Sequence, residues 1–265
     1  MPGPDLSDFP KGSSTILAAN PSPNTPTALY NGMVSPIVPM RIKGVIWYQG
    51  ENNADRPAQY RTLFPALIED WRRQWGYQFP FLFVQLAGFG ANKAEPAEYP
   101  WAELREAQAM SLSLFATGMA TAIDLGNEQD IHPTNKQDVA RRLVRAAAKT
   151  AYGEDVVFSG PTFRSMHVEG NRARIKFANL GSGLSIKDRY GYVRGFEVAA
   201  ADGRFRWAHA AVDGQDILVF NEDVSTPVAV RYSWSNTPDG NVYNKEGLPA
   251  IPFRTDAPVS PVGTR

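Results

Sequence analysis

Three short apolar runs, each followed by a helix-forming stretch, most strongly limit the folds open to this 265-residue chain. The runs occupy residues 44–48, 79–86 and 119–123. Repetition of strand and helix along a chain predicts parallel strand pairing, with helices on the faces of the sheet. The first run, which ends in a polar loop, is interpreted as a buried strand. The fold class predicted for this part of the chain is therefore α/β.

The stretches that follow these runs show helical periodicity. Apolar side chains recur every three or four residues over residues 60–75, although Pro65 lies inside this pattern and removes a helical hydrogen bond. A second helix begins near Trp101. A third is predicted over residues 135–152, with Gly153 just past its end as a C-terminal stop.

The pattern changes after about residue 155. Short alternating segments appear, separated by turns in which glycine accompanies Asp, Asn or Glu, and this arrangement predicts an antiparallel β domain. The segments occupy residues 167–169, 174–177, 194–198, 217–220 and 228–232. We therefore divide the chain into an irregular leader rich in Pro, Ser, Asn and Gly (residues 1–36), an α/β domain (residues 37–154) and a small antiparallel β domain (residues 155–265).

Composition removes several classes of function. The chain has 27 Lys and Arg residues against 27 Asp and Glu, so its zero net charge gives no electrostatic reason to expect nucleic acid or an anionic membrane as a partner. The absence of cysteine excludes disulfides, thiolate metal sites and a cysteine nucleophile. No apolar segment is long enough to span a bilayer, and the N-terminus lacks the pattern of a secretory signal. The sequence therefore does not determine the cellular compartment of the protein.

Neither a metal nor an organic cofactor is predicted. The three histidines, His132, His167 and His209, fall in different elements without the spacing of metal ligands. Gly181 and Gly183 lie in the β domain and not between a strand and a helix, so they do not form a phosphate-binding motif.

The segment after the third apolar run holds the strongest candidate for a general base. In open parallel sheets, active groups gather beyond the C-terminal ends of the strands. His132 lies there, and Asp130, two residues earlier, is able to fix its tautomer and stabilise the imidazolium. Two alternatives stay open: Asp130 instead caps the following helix, or Asp124 or Glu128 orients the ring.

The polar loop after the first apolar run is the second candidate. Acyl transfer needs hydrogen-bond donors aimed at a developing oxyanion, and Asn53 or Asn52 offers a side-chain amide there. Gly50 lets the backbone approach closely, next to Gln49. Glu51 is either an orienting group or an ion-pair partner of Arg56. An ordinary polar loop is the alternative interpretation.

Several motifs, in one order along the chain, resemble the sialate O-acetylesterase family, a branch of the SGNH hydrolases. The motifs are residues 29–33 (LYNGM), 44–53 (GVIWYQGENN), 101–108 (WAELREAQ), 130–137 (DIHPTNKQ), 181–184 (GSGL), 187–188 (KD), 195–197 (GFE) and 241–256 (NVYNKEGLPAIPFRTD). The resemblance implies a three-layer α/β/α parallel sheet and an acetylated sugar as substrate. It also implies His132 as general base, Asp130 as its partner and Asn53, in the loop that begins at Gly50, as the oxyanion-hole amide.

The chain departs from the family pattern in three ways. The block Gly-Gln-Ser-Asn-Met that carries the nucleophile does not occur, nor does the later Ser-Ser-Trp-Gly-Gly block. Asn52 stands where serine is common, and Gln129 holds the position three residues before the histidine where many SGNH enzymes have aspartate. The chain therefore resembles the C-terminal portion of such an enzyme. Ser13, Ser14 and Ser35 are the remaining candidates for a nucleophile.

The absence of that portion has a physical consequence. A sheet incomplete at its N-terminal side leaves an unpaired strand edge and exposed apolar helix faces. We expect self-association, a separate N-terminal fragment, or residues 1–36 to cover this edge. The resemblance predicts an esterase scaffold that is inactive alone, and the alternative is a non-catalytic carbohydrate-binding or interaction protein. Members of the family are often exported, but this chain shows no secretory signal pattern. Its localisation is therefore undetermined.

Overall fold

The computed structural model describes Ser22 and residues 25–256 of the chain. Its three α-helices are α1 (Pro57–Trp75), α2 (Pro100–Met110) and α3 (Lys136–Tyr152). Shorter helical turns span Tyr30–Val34, Ser35–Ile37, Glu51–Asn53 and Ser111–Ser113, so part of the predicted irregular leader is helical. The strands are β1 (Val45–Trp47), β2 (Phe81–Gln85), β3 (Thr117–Thr121), β4 (Thr162–Glu169), β5 (Arg172–Ala178), β6 (Leu184–Ile186), β7 (Phe196–Ala199), β8 (Phe205–Trp207), β9 (His209–Asp213), β10 (Asp216–Phe220), β11 (Ala229–Tyr232), β12 (Val242–Asn244) and β13 (Phe253–Arg254).

The first three strands form one parallel sheet in the order β1-β2-β3, which confirms the predicted α/β class. Alternate side chains of β2 face two different helical layers. Phe81 and Phe83 pack with α1 and α2 on one side, whereas Leu82 and Val84 pack with α3 on the other. The predicted three-layer α/β/α arrangement is therefore present.

Helix α3 begins and ends as its sequence predicts. The side chain of Asn135 accepts a hydrogen bond from the backbone N–H of Asp138, which satisfies one of the free donors of the first turn. Gly153 ends the helix with φ 70°, a left-handed conformation that glycine adopts without strain. Asn135 and not Asp130 is therefore the N-cap, so the helix-cap interpretation of Asp130 is wrong.

The second half of the chain is antiparallel β structure, as predicted. Two four-stranded sheets, β4-β5-β10-β9 and β13-β11-β7-β8, accompany the pair β12-β6. Their inner faces share one apolar core that includes Ile175, Phe196, Val198, Ile217 and Val230. None of the helices within residues 25–256 combines the length and apolarity needed to cross a bilayer.

Within residues 25–256, strand β1 is an open edge of the sheet and not the buried strand that its sequence suggested. Ile46 is 67% exposed, although its neighbour in the register, Leu82 on β2, is buried under α3. The free edge of β3 is covered differently, because residues 158–160 and 248–251 enclose a small space against it. An apolar run alone does not show what lies on the far side of a strand, and this explains the wrong prediction.

A buried carboxyl lies where the β domain meets the loop before α2. Glu197 on β7 is 1% exposed, and its Oε2 has no hydrogen-bond partner among the described residues. Burial raises the pKa of Glu197 to about 8; Arg231 opposes this rise, while Glu98 and Asp256 add to it. Arg231 itself binds Glu98 at 2.6 Å and Asp256 at 2.7 Å. Its charge is therefore already compensated without Glu197.

This carboxyl predicts a pH dependence of stability. Between pH 4.5, the ordinary pKa, and about 8 the folded chain holds a proton that the unfolded chain has lost. The free energy of unfolding should therefore fall as pH rises through this window, by up to ~1.4 kcal/mol per pKa unit. Glu197→Gln should flatten this slope, as measured by urea unfolding at pH 5 and pH 8.5. Glu222→Gln, at an exposed turn, is the control; equal slopes for both variants would contradict the assignment.

Candidate functional site

The polar turn after β1 is built around a glycine. Gly50 has φ 147°, and its Cβ, if present, would lie 3.3 Å from Nε2 of Gln108 and 3.4 Å from the hydroxyl of Tyr60. A side chain at this position is therefore both strained and crowded. The helical turn Glu51–Asn53 follows Gly50 directly, so Asn53 lies six residues after the end of β1 at Trp47.

The side chain of Asn53 is held through its carbonyl oxygen. Nε2 of Gln49 donates to Oδ1 of Asn53 at 3.0 Å. Within residues 25–256, Nδ2 of Asn53 has no hydrogen-bond partner, so its amide N–H groups are available to a ligand. A preorganised amide donor of this kind is what stabilisation of a developing oxyanion requires.

Tyr60 and Gln108 hold Gln49 in turn, and sequence reasoning missed both. The Tyr60 hydroxyl lies 3.4 Å from both the carbonyl oxygen and Oε1 of Gln49. Burial raises the pKa of Tyr60 to about 12, so the phenol stays protonated and remains a donor. Nε2 of Gln108 donates to the carbonyl of Gln49 at 3.3 Å, and its Oε1 accepts from the N–H of Leu86 at 2.9 Å.

Asp130 and His132 lie side by side. Oδ1 of Asp130 accepts the backbone N–H of His132 at 2.8 Å and lies 3.5 Å from Nδ1 of the ring. The His132 side chain is 86% exposed. The carboxylate therefore faces Nδ1, which leaves Nε2 directed away from Asp130. The only hydrogen bond between the two residues is the one to the backbone N–H, so the carboxylate lies next to the ring without bonding to it.

Of the two rival orienting groups, Asp124 is engaged elsewhere, whereas the Glu128 alternative stays a prediction. Asp124 accepts two hydrogen bonds from Arg142, at 2.6 and 2.8 Å, and one from the Tyr243 hydroxyl at 2.9 Å. Burial alone would raise the pKa of Asp124, but these donors hold it below its ordinary value. Arg56 pairs with Asp55 at 3.3 Å, so the suggested ion pair of Glu51 with Arg56 is wrong.

Two glycines pack the base-bearing loop against the loop that follows β2. A Cβ at Gly126 would collide with the backbone of Gly88, so the two chains stack without side chains between them. The N–H of Gly90 donates to the carbonyl of Glu128 at 3.0 Å. The position of His132 therefore depends on residues 86–90.

Arg105, at the centre of the 101–108 motif, supports that second loop. Its guanidinium, which is 0% exposed, donates to the carbonyls of Leu86, Ala87, Ser235 and Asn236 at 2.6–3.0 Å. Within the part of the chain that the structure describes, no carboxylate lies within 4 Å of it. Burial lowers the pKa of Arg105 to about 9, so it is still protonated at neutral pH. This charge thus joins α2, the loop after β2 and the β domain.

The remaining candidates do not join the Asp130–His132 pair. Ser35 begins an exposed helical turn, and no hydroxyl of residues 25–256 forms a hydrogen bond with the His132 ring. Ser13 and Ser14 lie outside the described residues. No hydrogen bond or ion pair among these residues links Asn53 to His132. His167 and His209 lie on exposed strand positions, and the described residues include no cluster able to hold a metal ion.

These features give the chain an SGNH-like α/β fold: a parallel sheet lies between helical layers, with an amide-bearing turn after one strand and an Asp–His loop after another. A family model described as carbohydrate esterase, sialic acid-specific acetylesterase, matches residues 10–149, which is more than half of the chain. The chain belongs to this family, and the resemblance to sialate O-acetylesterases is confirmed.

Named relatives agree with this assignment. The sialate O-acetylesterase of Mus musculus is 34% identical over 261 residues, which cover 87% of this chain and 47% of the mouse protein. The Homo sapiens protein is 32% identical and covers 92% and 51%. The crystal structure of a carbohydrate acetylesterase from Xanthomonas citri is 49% identical with a TM-score of 0.81, covering 86% of this chain and 54% of that chain. The chain thus spans about half the length of the curated relatives it matches.

Proposed function

We propose that this chain supplies the general base and the oxyanion donor for hydrolysis of an O-acetyl ester on a sialate-type sugar. The observation that carries the proposal is the Asn53 side chain, whose Oδ1 is bound while its Nδ2 is free to donate. The Asp130–His132 pair supports it, because the two groups follow strands of one parallel sheet. No metal or organic cofactor takes part.

The reaction follows from the roles of these groups. A serine hydroxyl attacks the acetyl carbonyl while Nε2 of His132 takes the hydroxyl proton. The negative charge that develops on the carbonyl oxygen is stabilised by the amide of Asn53. The bond between the acetyl carbon and the sugar oxygen breaks, and His132 returns the proton to that oxygen. Water then attacks the acetyl-serine with the same base, releasing acetate.

The attacking hydroxyl, in this proposal, comes from the half of the esterase that this chain does not span. The free edge of β1 is the place where it docks, because an unpaired strand edge accepts a further strand. A strand added in parallel there would end beside the Gln49–Asn53 turn, since C-terminal ends of parallel strands share one edge of a sheet.

Within residues 25–256, the face of β1 that Ile46 occupies is also exposed. Two cation–π contacts align α3 antiparallel to the β1 segment: Lys136 lies 5.0 Å from the ring of Tyr48, and Lys43 lies 5.2 Å from the ring of Tyr152. Between them lie Ile46, 67% exposed, and Val144, 65% exposed. In this proposal the two side chains form one apolar trough that an added helix would fill. The added strand and the added helix together form a βα unit, so the proposed docking partner is more than a single strand.

Restoring that unit is expected to create activity. The unmatched part of the Xanthomonas citri acetylesterase, fused to this chain, should hydrolyse p-nitrophenyl acetate at least ~100-fold faster than the chain alone, since a nucleophile activated by a base is gained. Ile46→Asp in the fusion should lower this rate by placing a charge in the packed trough. Val168→Asp, at an exposed position on β4, is the matched control and should leave the rate unchanged.

Other results would change the proposal. Hydrolysis by the chain alone at the rate of the fusion would mean that one of its own hydroxyls attacks. Sedimentation of the chain alone as a dimer, abolished by Ile46→Asp, would make a second copy the occupant of the edge. A fusion that binds acetylated sugar at the background rate of hydrolysis would favour the second candidate function, a non-catalytic carbohydrate-binding protein. That function is favoured by the absence of a hydroxyl bonded to His132 within residues 25–256.

A further inference from the structure

A cavity of about 410 Å³ lies between α3 and the β6–β12 pair. Its volume is within the range of sites that hold a small molecule. One wall is the helix and the other is the chain after β6 and after β12, so both halves of the molecule contribute. The charged side chains that line it are Asp124, Asp138, Arg141, Arg142, Arg145, Lys187 and Glu246.

Two of the four cations in this cavity are already paired. Arg142 is neutralised by Asp124, and Arg141 lies 2.7 Å from Asp138. Because these pairs are compensated, neither guanidinium adds much to the field inside the cavity.

Arg145 and Lys187 are not paired in this way. Arg145 donates to the backbone carbonyl of Val157 at 3.1 Å, and Nζ of Lys187 lies 3.6 Å from the ring centre of Tyr243. Within the described residues, neither has a carboxylate within 4 Å. The remaining acid, Glu246, accepts the N–H and hydroxyl of Ser182 through Oε1. The cavity thus holds two unpaired cations, Arg145 on the helix wall and Lys187 on the opposite wall, and one further acid, Glu246, on the same wall as Lys187.

The cavity adjoins the loop that carries His132. The Tyr243 ring that holds Lys187 also donates its hydroxyl to Asp124, the residue that begins this loop. Asp138, on the same wall as Arg145, lies in the first turn of α3 and bonds to Asn135, three residues after His132. A ligand in the cavity would therefore contact the elements that position the base.

We propose that this cavity binds the carboxylate of a sugar acid between Arg145 and Lys187. The guanidinium offers the planar pair of donors that matches a carboxylate, and the ammonium supplies a second charge. The proposal rests on the proposed function, because a sugar acid is the kind of ester-bearing substrate that this site would orient. Sialates and uronates share this chemistry.

Binding can be measured without catalysis, by calorimetry on the purified chain. N-acetylneuraminate and glucuronate are the two sugar acids, and galactose is the neutral control. We expect at least one acid to bind and galactose not to bind, and the tighter acid identifies the source of the carboxylate. Arg145→Gln combined with Lys187→Gln should weaken binding at least ~10-fold, since two charge-assisted contacts are lost. Lys149→Gln is the matched control, on the same helix and outside the cavity.

Three results would overturn the proposal: no binding of either acid, equal binding of acetate, or unchanged affinity in the double variant. All three substituted side chains are exposed, and a thermal melt identifies a variant that has failed to fold. A His132→Gln chain should bind the sugar acid with unchanged affinity. Failure of the esterase proposal would therefore leave the binding measurement valid. Failure of sugar-acid binding would likewise leave the test of the esterase proposal valid.

Discussion

Replacing His132 by glutamine is expected to lower acetyl-ester hydrolysis by the fusion with the Xanthomonas citri portion (the completed enzyme) at least ~1,000-fold. The reason is that the attacking hydroxyl would lose its proton acceptor. Glutamine keeps a polar side chain of similar reach but does not accept a proton at neutral pH. The effect should fall on kcat, since the ring takes no part in binding the sugar in this proposal. Steady-state rates with an acetylated sialate or with p-nitrophenyl acetate measure it.

The structure offers matched controls for this change. His167, an exposed histidine on β4 whose ring contacts only Ser165 among the described hydrogen bonds, should tolerate the same substitution without loss of rate. Asp130→Asn should give an intermediate loss, because the amide leaves the ring in place but no longer stabilises the imidazolium. The thermal midpoint should stay the same for His132→Gln, since the side chain is 86% exposed. Retention of activity would place the base elsewhere.

Local signals in the sequence were sufficient for the helices and for the two halves of the chain. Asn135 and Gly153 mark the ends of α3 because capping is decided by a few neighbouring residues. The same holds for the turns of the β domain, where glycine supplies positive φ at Gly170, Gly203 and Gly214. The candidate pair Asp130 and His132 was found for a related reason, since the two residues are only two positions apart.

Features that depend on distant parts of the chain were not predictable in this way. Ile46 is exposed because no element of the described residues covers that face of β1. Hydrophobic periodicity does not show which elements pack on a strand. Gln108 touches Gln49 from 59 residues away, and Arg105 reaches Ser235 from 130 residues away. A helix pattern shows that such side chains face inward, but not which carbonyl they meet. In the sequence, the 101–108 motif indicates only a family resemblance, whereas its contacts show that it supports the turns after β1 and β2.

Arg105→Met should have the largest effect on stability, a loss of at least ~2 kcal/mol in the free energy of unfolding. Methionine fills much of the same space but removes every donor. The carbonyls of Ala87 and Asn236 keep a second donor, from Trp101 Nε1 and the N–H of Phe89. The carbonyls of Leu86 and Ser235 would lose the donor that Arg105 supplies, each worth about 1–3 kcal/mol when left unsatisfied. Arg105→Lys should recover only part of this loss, because one ammonium cannot reach carbonyls on two separate segments. Urea unfolding monitored by tryptophan fluorescence measures both variants.

This residue also links stability to the site. The carbonyls of Leu86 and Ala87, which Arg105 holds, lie at the start of the loop that packs on Gly126 and bonds to Glu128. A loosened loop would displace His132, so Arg105→Lys should reduce the rate of the completed enzyme even where it stays folded. Arg73→Met, an exposed change on α1, should alter the free energy of unfolding by no more than ~0.5 kcal/mol and should leave the rate of the completed enzyme unchanged. Equal unfolding free energies for Arg105→Met and Arg73→Met would show that the buried charge contributes nothing net, and the positioning argument would fail with it.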